Sequence, residues 1–157
     1  MCKMKVKVTS TDKFHNFLGS LQTDGFADEL TRGALEIAAA AEKLAPVELG
    51  ALSSSIVVSG STYDDFTRKS ALAENKRPGS TKGISHKVAP NNNSVWLYPA
   101  VFYAIHQEFG TIRNSAHPFL IPAITSLGKT VLPKGVKVGL NARYLSSPPI
   151  VRTWNFG

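Results

Sequence analysis

Tyr103-Ala104-Ile105-His106-Gln107-Glu108-Phe109-Gly110-Thr111, followed a few residues later by Ala116-His117-Pro118-Phe119-Leu120-Ile121-Pro122-Ala123-Ile124, is the stretch that decides how this chain folds. It reads as a short helix, a sharp turn and a second apolar element. Pro99 suits the first residue of that helix, because its φ is already helical and its missing N–H has no intrahelical partner there anyway. Phe102, Ile105 and Phe109 recur at i, i+3 and i+7, the spacing of one buried helical face. Gly110 follows the last periodic residue and suits the left-handed conformation that ends a helix. Ala104 and Glu108 lie one turn apart on the same side. The small residue admits another backbone, and the carboxylate can accept hydrogen bonds from the N–H groups of the following turn or pair with a basic residue.

Upstream, Leu30, Ala34, Ile37, Ala41 and Leu44 form a helical stripe and predict a long helix over 27–44. The alanine run at 38–41 gives it high propensity and little bulk, so another layer can pack closely. Pro46 ends it. After Gly50 the period changes to two. Leu52, Ser54, Ile56 and Val58 alternate with Ser53, Ser55, Val57 and Ser59, which predicts a half-buried strand. At the start of the chain Met4, Val6 and Val8 alternate with Lys3, Lys5 and Lys7, a short strand with a lysine face. A capped helix is expected over 12–21.

Residues 60–83 form a long connection in which Thr62, Asp64 and Asp65 can start a short helix reaching Ala73. Its basic tip, Lys76-Arg77-Pro78-Gly79-Ser80-Thr81-Lys82-Gly83, is expected to be disordered in a free subunit and to order against a partner. Two strands are expected over 84–88 and 95–98, joined by Pro90-Asn91-Asn92-Asn93, and a second helix over 119–131. The tail from 141 to 157 contains Pro148-Pro149, Tyr144, Ile150, Trp154 and Phe156 with no helical period, and reads as an extended arm. The fold class expected is α+β: one domain over 1–140 with a mainly antiparallel sheet, one long helix packed across it and short helices, then the arm over 141–157.

A chain of 157 residues, 43% hydrophobic and 18% charged, suits one domain with one core. Eighteen Lys and Arg against eleven Asp and Glu give a formal charge of +7, which favours acidic partners, nucleic acid among them, and equally fits a solvated surface. Cys2 is the single cysteine, so no internal disulfide forms, in keeping with a reducing cytosol. The lysines near the start have no apolar run behind them, so no signal peptide is read, and no apolar stretch reaches the roughly 20 residues of a membrane helix.

Sites of chemistry are sparse. The segment from Ala123 to Gly128-Lys129-Thr130 meets a permissive phosphate-loop pattern, but Pro122 stands before it and Pro133 and Gly135 follow, so an amphipathic helix end is the reading. His15, His86, His106 and His117 form no metal-binding pair. Ser53-Ser54-Ser55 lacks the glycine setting of a nucleophile elbow. Glu48 and Glu108 each have a simpler use beside a tight glycine turn than as an acid/base pair. Trp96, Tyr98 and Tyr103 read as packing residues before base-stacking ones. No enzyme activity, cofactor or metal is expected.

Two blocks carry a resemblance. Tyr-Ala-x-x-x-Glu-Phe-Gly-Thr with Ala-x-Pro-Phe-Leu-x-Pro-Ala resembles the signature of the head–tail connector and tail-completion (neck) family of tailed bacteriophages. Ala45-Pro46-Val47-Glu48-Leu49-Gly50-Ala51-Leu52, ahead of Ser53-Ser54-Ser55-Ile56, resembles that family's other block, with Leu49 in place of the usual small hydroxyl residue and Ala51 in place of the frequent basic one. The motif positions are Pro46, Gly50, Leu52, Tyr103, Ala104, Glu108, Phe109, Gly110, Thr111, Pro118, Phe119 and Pro122.

The resemblance implies a virion structural protein that forms a ring, commonly sixfold, between the DNA-filled head and the tail, as a connector, tail-completion or tail-terminator protein. Its neighbours would be portal-side or adaptor-side neck proteins and tail-tube or terminator proteins, with double-stranded DNA in the lumen. Assembly would take place in the host cytoplasm. Lys3, Lys5, Lys7, Lys76, Arg77 and Lys82 are then the candidates for facing DNA, and Tyr144, Ile150, Trp154 and Phe156 those for contacting another subunit. The alternative reading is a basic nucleic-acid-binding module with no virion role.

Overall fold

A computed structural model describes residues 24–47, 50–88, 94–132, 136–142 and 150–156. The expected strand at Lys3, Lys5 and Lys7, the helix over 12–21, Glu48, Leu49 and the turn at 90–93 lie outside these residues. What is described mixes helices with small two-stranded antiparallel sheets.

Helix α1 runs Asp24–Leu44, starting three residues before the position 27 expected from the sequence. Leu30, Ala34, Ile37 and Ala41 are buried as the stripe predicts, but Leu44 is 51% exposed. Ala45 takes its place: its N–H bonds the Ala41 carbonyl at 2.9 Å, closing the last turn, and its methyl joins the core. Gly33, in mid-helix, is where α1 meets α5 (Leu120–Val131). A Cβ there would lie 2.5 Å from the Val131 carbonyl oxygen.

The expected strand after Gly50 begins later than its period suggests. Ala51–Ser54 is a short helix, α2, and β1 is Ile56–Ser59. The serines explain the difference. Ser53 and Ser54 turn their hydroxyls back to the Gly50 carbonyl at 3.1 and 2.5 Å, and Ser55 to that of Leu52 at 2.7 Å, which favours a turn over an extended ladder. All four residues of β1 are buried, so it is not half-exposed. One edge pairs antiparallel with β2 (Trp96–Pro99), Val57 opposite Tyr98. The other edge is closed by Asp65, whose carboxylate accepts the Val58 N–H at 2.9 Å and whose own N–H donates to the Val58 carbonyl at 3.3 Å.

Helix α3 spans Phe66–Lys76, past the expected end at Ala73. The basic tip beyond it is held in place and is not a free loop. The Glu74 carboxylate accepts the N–H groups of Gly79 and Thr81 and the Thr81 hydroxyl, and Ser80 is buried with its hydroxyl on the Ala73 carbonyl. Residues 84–88 form no strand. They are tied to β2 through side chains: the Lys87 N–H donates to the Tyr98 hydroxyl at 3.1 Å, and the Trp96 indole to the Val88 carbonyl at 3.2 Å.

Pro99 ends β2 and does not open a helix, and α4 is Ala104–Phe109. Its buried residues are Ala104 and Glu108, while Phe102, placed on the buried face by its spacing, is 43% exposed. Strands β3 (Val136–Ala142) and β4 (Ile150–Phe156) pair antiparallel in a sheet of their own. The tail therefore pairs with a strand that begins before position 141. Tyr144, Pro148 and Pro149 lie outside the described residues. One core gathers Ile37 and Ala41 of α1, Ile56 and Val58 of β1, Val101, Phe119 and α5 residues Ala123 and Ile124.

Candidate functional site

The two sequence blocks meet in space. Gly50 sits in the left-handed region (φ 64, ψ 5) as the residue before α2. Its carbonyl accepts from the Ser54 N–H, the hydroxyls of Ser53 and Ser54 and the Lys76 ammonium, so one oxygen anchors the turn and the end of α3. Lys76 also donates to the Ser54 hydroxyl at 2.6 Å. A Cβ on Gly50 would lie 3.0 Å from the Lys76 nitrogen.

On the other side stands Tyr103, with the Arg77 guanidinium 4.7 Å from its ring centre and Phe102 edge-on at 5.6 Å. Pro46, Gly50, Ala51, Leu52, Arg77, Tyr103 and Gln107 line one shallow depression between the blocks.

Next to Gln107, Glu108 acts as a staple. Its carboxylate accepts the N–H groups of Phe119 and Leu120 on one oxygen, at 2.9 and 3.0 Å, and of Ile121 on the other, at 2.8 Å. These are donors that the first turn of α5 cannot satisfy within the helix, and a negative charge is favoured at that end by the helix dipole. Phe119, at the N-cap, has no side chain able to cap, so the cap is supplied from α4. Of the two uses read for the Glu108 carboxylate, the structure has the bonds to the following turn.

Gly110 connects the two. Its φ is positive, 75, but its ψ is −178, so it is extended and not in the left-handed helical region the sequence suggested. Only glycine takes that combination without strain. A Cβ would also lie 2.8 Å from the Ala116 nitrogen. The loop that follows is internally bonded: Thr111 N–H to the Asn114 carbonyl at 2.8 Å, Asn114 N–H to the Thr111 hydroxyl at 3.0 Å, and His117 N–H to the Gln107 carbonyl at 2.7 Å. Phe109 is half-buried, Pro118 exposed, Phe119 buried in the core and Pro122 half-buried in the first turn of α5.

Of the six cations considered for DNA, Lys76 and Arg77 are engaged within the fold, Lys82 is exposed at the tip, and Lys3, Lys5 and Lys7 lie outside the described residues. Ile150, Trp154 and Phe156 lie in β4. The Gly128-Lys129-Thr130 segment is continuous helix within α5 and makes no loop. His86 pairs with Asp64 at 2.8 Å and stacks on Phe66, an association the spacing of the histidines gave no hint of. Burial pushes the Tyr98 hydroxyl above its ordinary pKa, while the Gly79 N–H and then the Thr81 hydroxyl hold Glu74 below the ordinary carboxylate value. Among the described residues no His, Cys, Asp and Glu gather into a metal-binding group.

Comparison with protein-family models, with curated proteins and with solved structures gives no match.

Proposed function

We propose that this chain is a structural protein of the virion. More particularly, we read it as a neck protein of a tailed phage that forms a ring joining the DNA-filled head to the tail, in the role of a connector, tail-completion or tail-terminator protein. One observation carries this reading. The two blocks that resemble the neck family lie far apart in sequence yet both line a single depression, through Pro46, Gly50 and Leu52 of one and Tyr103 and Gln107 of the other, and Glu108 and Gly110 each have a definite geometric task in the turn that follows. In this reading α1 lies across the β1–β2 sheet, and the surface around the depression and the C-terminal strands meet neighbouring subunits and the layers above and below.

A ring repeats one heterologous contact until it closes. The partners are further copies of the chain, portal-side neck proteins and tail-tube proteins, with double-stranded DNA in the lumen. The work done is assembly, without catalysis. Deleting the coding sequence in the phage that carries it should leave filled heads and finished tails that do not join, visible by electron microscopy of the lysate. Normal yields of infectious particles would overturn the reading.

A further inference from the structure

Among the described residues, the depression between the two blocks is lined by a cation and by no anion. Arg77 stands at its wall with the guanidinium over the Tyr103 ring, 4.7 Å from the centre. A cation held on a ring face keeps N–H groups for another acceptor, and the stacking orients the planar fork in advance. The ion pairs among the described residues are Arg68 with Asp65, Lys69 with Glu42 and His86 with Asp64, so Arg77 belongs to none of them. A second cation stands at the same edge. The Lys76 ammonium donates to the Gly50 carbonyl and the Ser54 hydroxyl, both neutral acceptors. Glu108, one residue past Gln107, is committed to the N–H groups of α5 and leaves this charge uncompensated.

The rest of the surface there is apolar. Pro46, Ala51 and Leu52 line the depression with Tyr103. At its margin Val47, next to Pro46, is 79% exposed, and Phe102, edge-on to Tyr103, is 43% exposed. An arginine and a tyrosine stacked amid exposed apolar side chains have the composition of the energetic centre of a protein–protein contact.

We propose that the depression is the docking point for an acidic segment of a partner protein, with a carboxylate meeting Arg77 and a neighbouring apolar side chain covering Val47 and Phe102. This deepens the proposed function and rests on it only for which proteins stand beside the chain. Charge complementarity selects the occupant. An uncompensated guanidinium takes an anion, and a carboxylate matches its fork with two parallel hydrogen bonds. DNA offers anions too, but its binding is built on many cations along a backbone. Here one guanidinium and one ammonium already bonded within the fold sit beside apolar walls. The room is about 50 Å³, a few waters' worth, which fits one carboxylate with the carbon that bears it and excludes a nucleotide.

The test follows the backbone amide NMR signals of Gly50, Tyr103 and Gln107 in the full-length protein as acetyl-Leu-Glu-amide is added. These signals should move and saturate. Acetyl-Leu-Gln-amide, of the same shape without the charge, should bind at least about tenfold more weakly, and so should the charged dipeptide to Arg77→Gln. Lys82→Gln, at the exposed tip, should bind as the parent does. A short DNA duplex should leave the three signals in place. Equal response to the two dipeptides would overturn the assignment without any variant having to fold. A duplex that moves the same signals in the parent and not in Arg77→Gln would do so too, because the anion recognised would be phosphate. Silence toward the charged dipeptide in the parent would also overturn it, and a response gained in Glu48→Gln would then show that the chain's own carboxylate holds Arg77. Each of these outcomes leaves the neck reading to be decided separately, by whether heads and tails join without the protein.

Discussion

Glu108 is a carboxylate only 6% exposed, bonded to three backbone N–H groups of another element. Such charge-assisted bonds are roughly twice as strong as neutral ones, and deleting the acceptor leaves buried donors unpaired. Glu108→Ala should therefore destabilise by about 3–5 kcal/mol in urea unfolding, and Glu108→Gln by less, since one amide oxygen can still accept. A loss under about 1 kcal/mol for the alanine variant would mean water or a neighbour recaps α5. At Gly110 the cost is of another kind. Any side chain meets both a disfavoured φ, ψ pair and the Ala116 backbone, so Gly110→Val should cost at least about 2 kcal/mol by the same measurement. Both residues were legible in the sequence as chemistry: a carboxylate beside a turn and a glycine after a helix. The face of α4 was not. Phe102, Ile105 and Phe109 have helical spacing, but periodicity counts apolar residues and cannot foresee a buried slot taken by an acid that caps the next helix.

At the scale of elements, α1 and α5 were legible from their stripes, while what brings them together was not. Gly33 looks like a flaw in a good helix, worth about 1 kcal/mol to correct with alanine. Yet a Cβ there would stand 2.5 Å from the Val131 carbonyl oxygen and 3.0 Å from the Leu132 side chain. Gly33→Ala should thus destabilise, by about 1–3 kcal/mol as overpacking does, despite its better propensity; a more stable variant would show that the helices slide apart at little cost. The strand after Gly50 starts later than its period suggests because serine fits both a period-two pattern and a back-bonded helical turn, and the Gly50 carbonyl decides between them. The glycines and lysines of the tip after α3 suggest disorder, whereas Glu74, outside the basic run, ties it down. That tie has a pH signature. Glu74 is held below its ordinary pKa, so its contribution is complete above the ordinary carboxylate value and is lost as pH falls through the lowered one. Amide signals of Gly79 and Thr81 should shift in that acid window in the parent and not in Glu74→Gln. Identical titrations would detach the tip from Glu74.

Over the whole molecule the charge is lopsided. Glu108 is the last acidic residue, and residues 109–157 hold Arg113, Lys129, Lys134, Lys137, Arg143 and Arg152 unopposed. The first 108 residues, with the other 12 bases and all 11 acids, are nearly neutral. The basic run at 76–82 drew attention in the sequence because its cations are adjacent, but Lys76 is bonded to Gly50 and Ser54 and Arg77 lies on Tyr103. Arg113 in the loop before α5 and Lys129 on its outer side are exposed. If DNA touches this protein, the acid-free third is where its phosphates meet least repulsion. Each phosphate neutralised contributes about 0.9 to the slope of log affinity against log salt. Arg113→Gln/Lys129→Gln should then reduce that slope by about 2 for a short duplex, measured by fluorescence anisotropy, with the melting temperature unchanged because both side chains are in solvent. Lys76→Gln/Arg77→Gln should do the reverse: leave the slope alone and lower stability by about 1 kcal/mol, through the lost cation–π contact and hydrogen bonds. The opposite pattern would return DNA contact to the basic tip, where the alternative nucleic-acid-binding reading puts it. Unchanged slopes in both variants would remove DNA from all four of these cations.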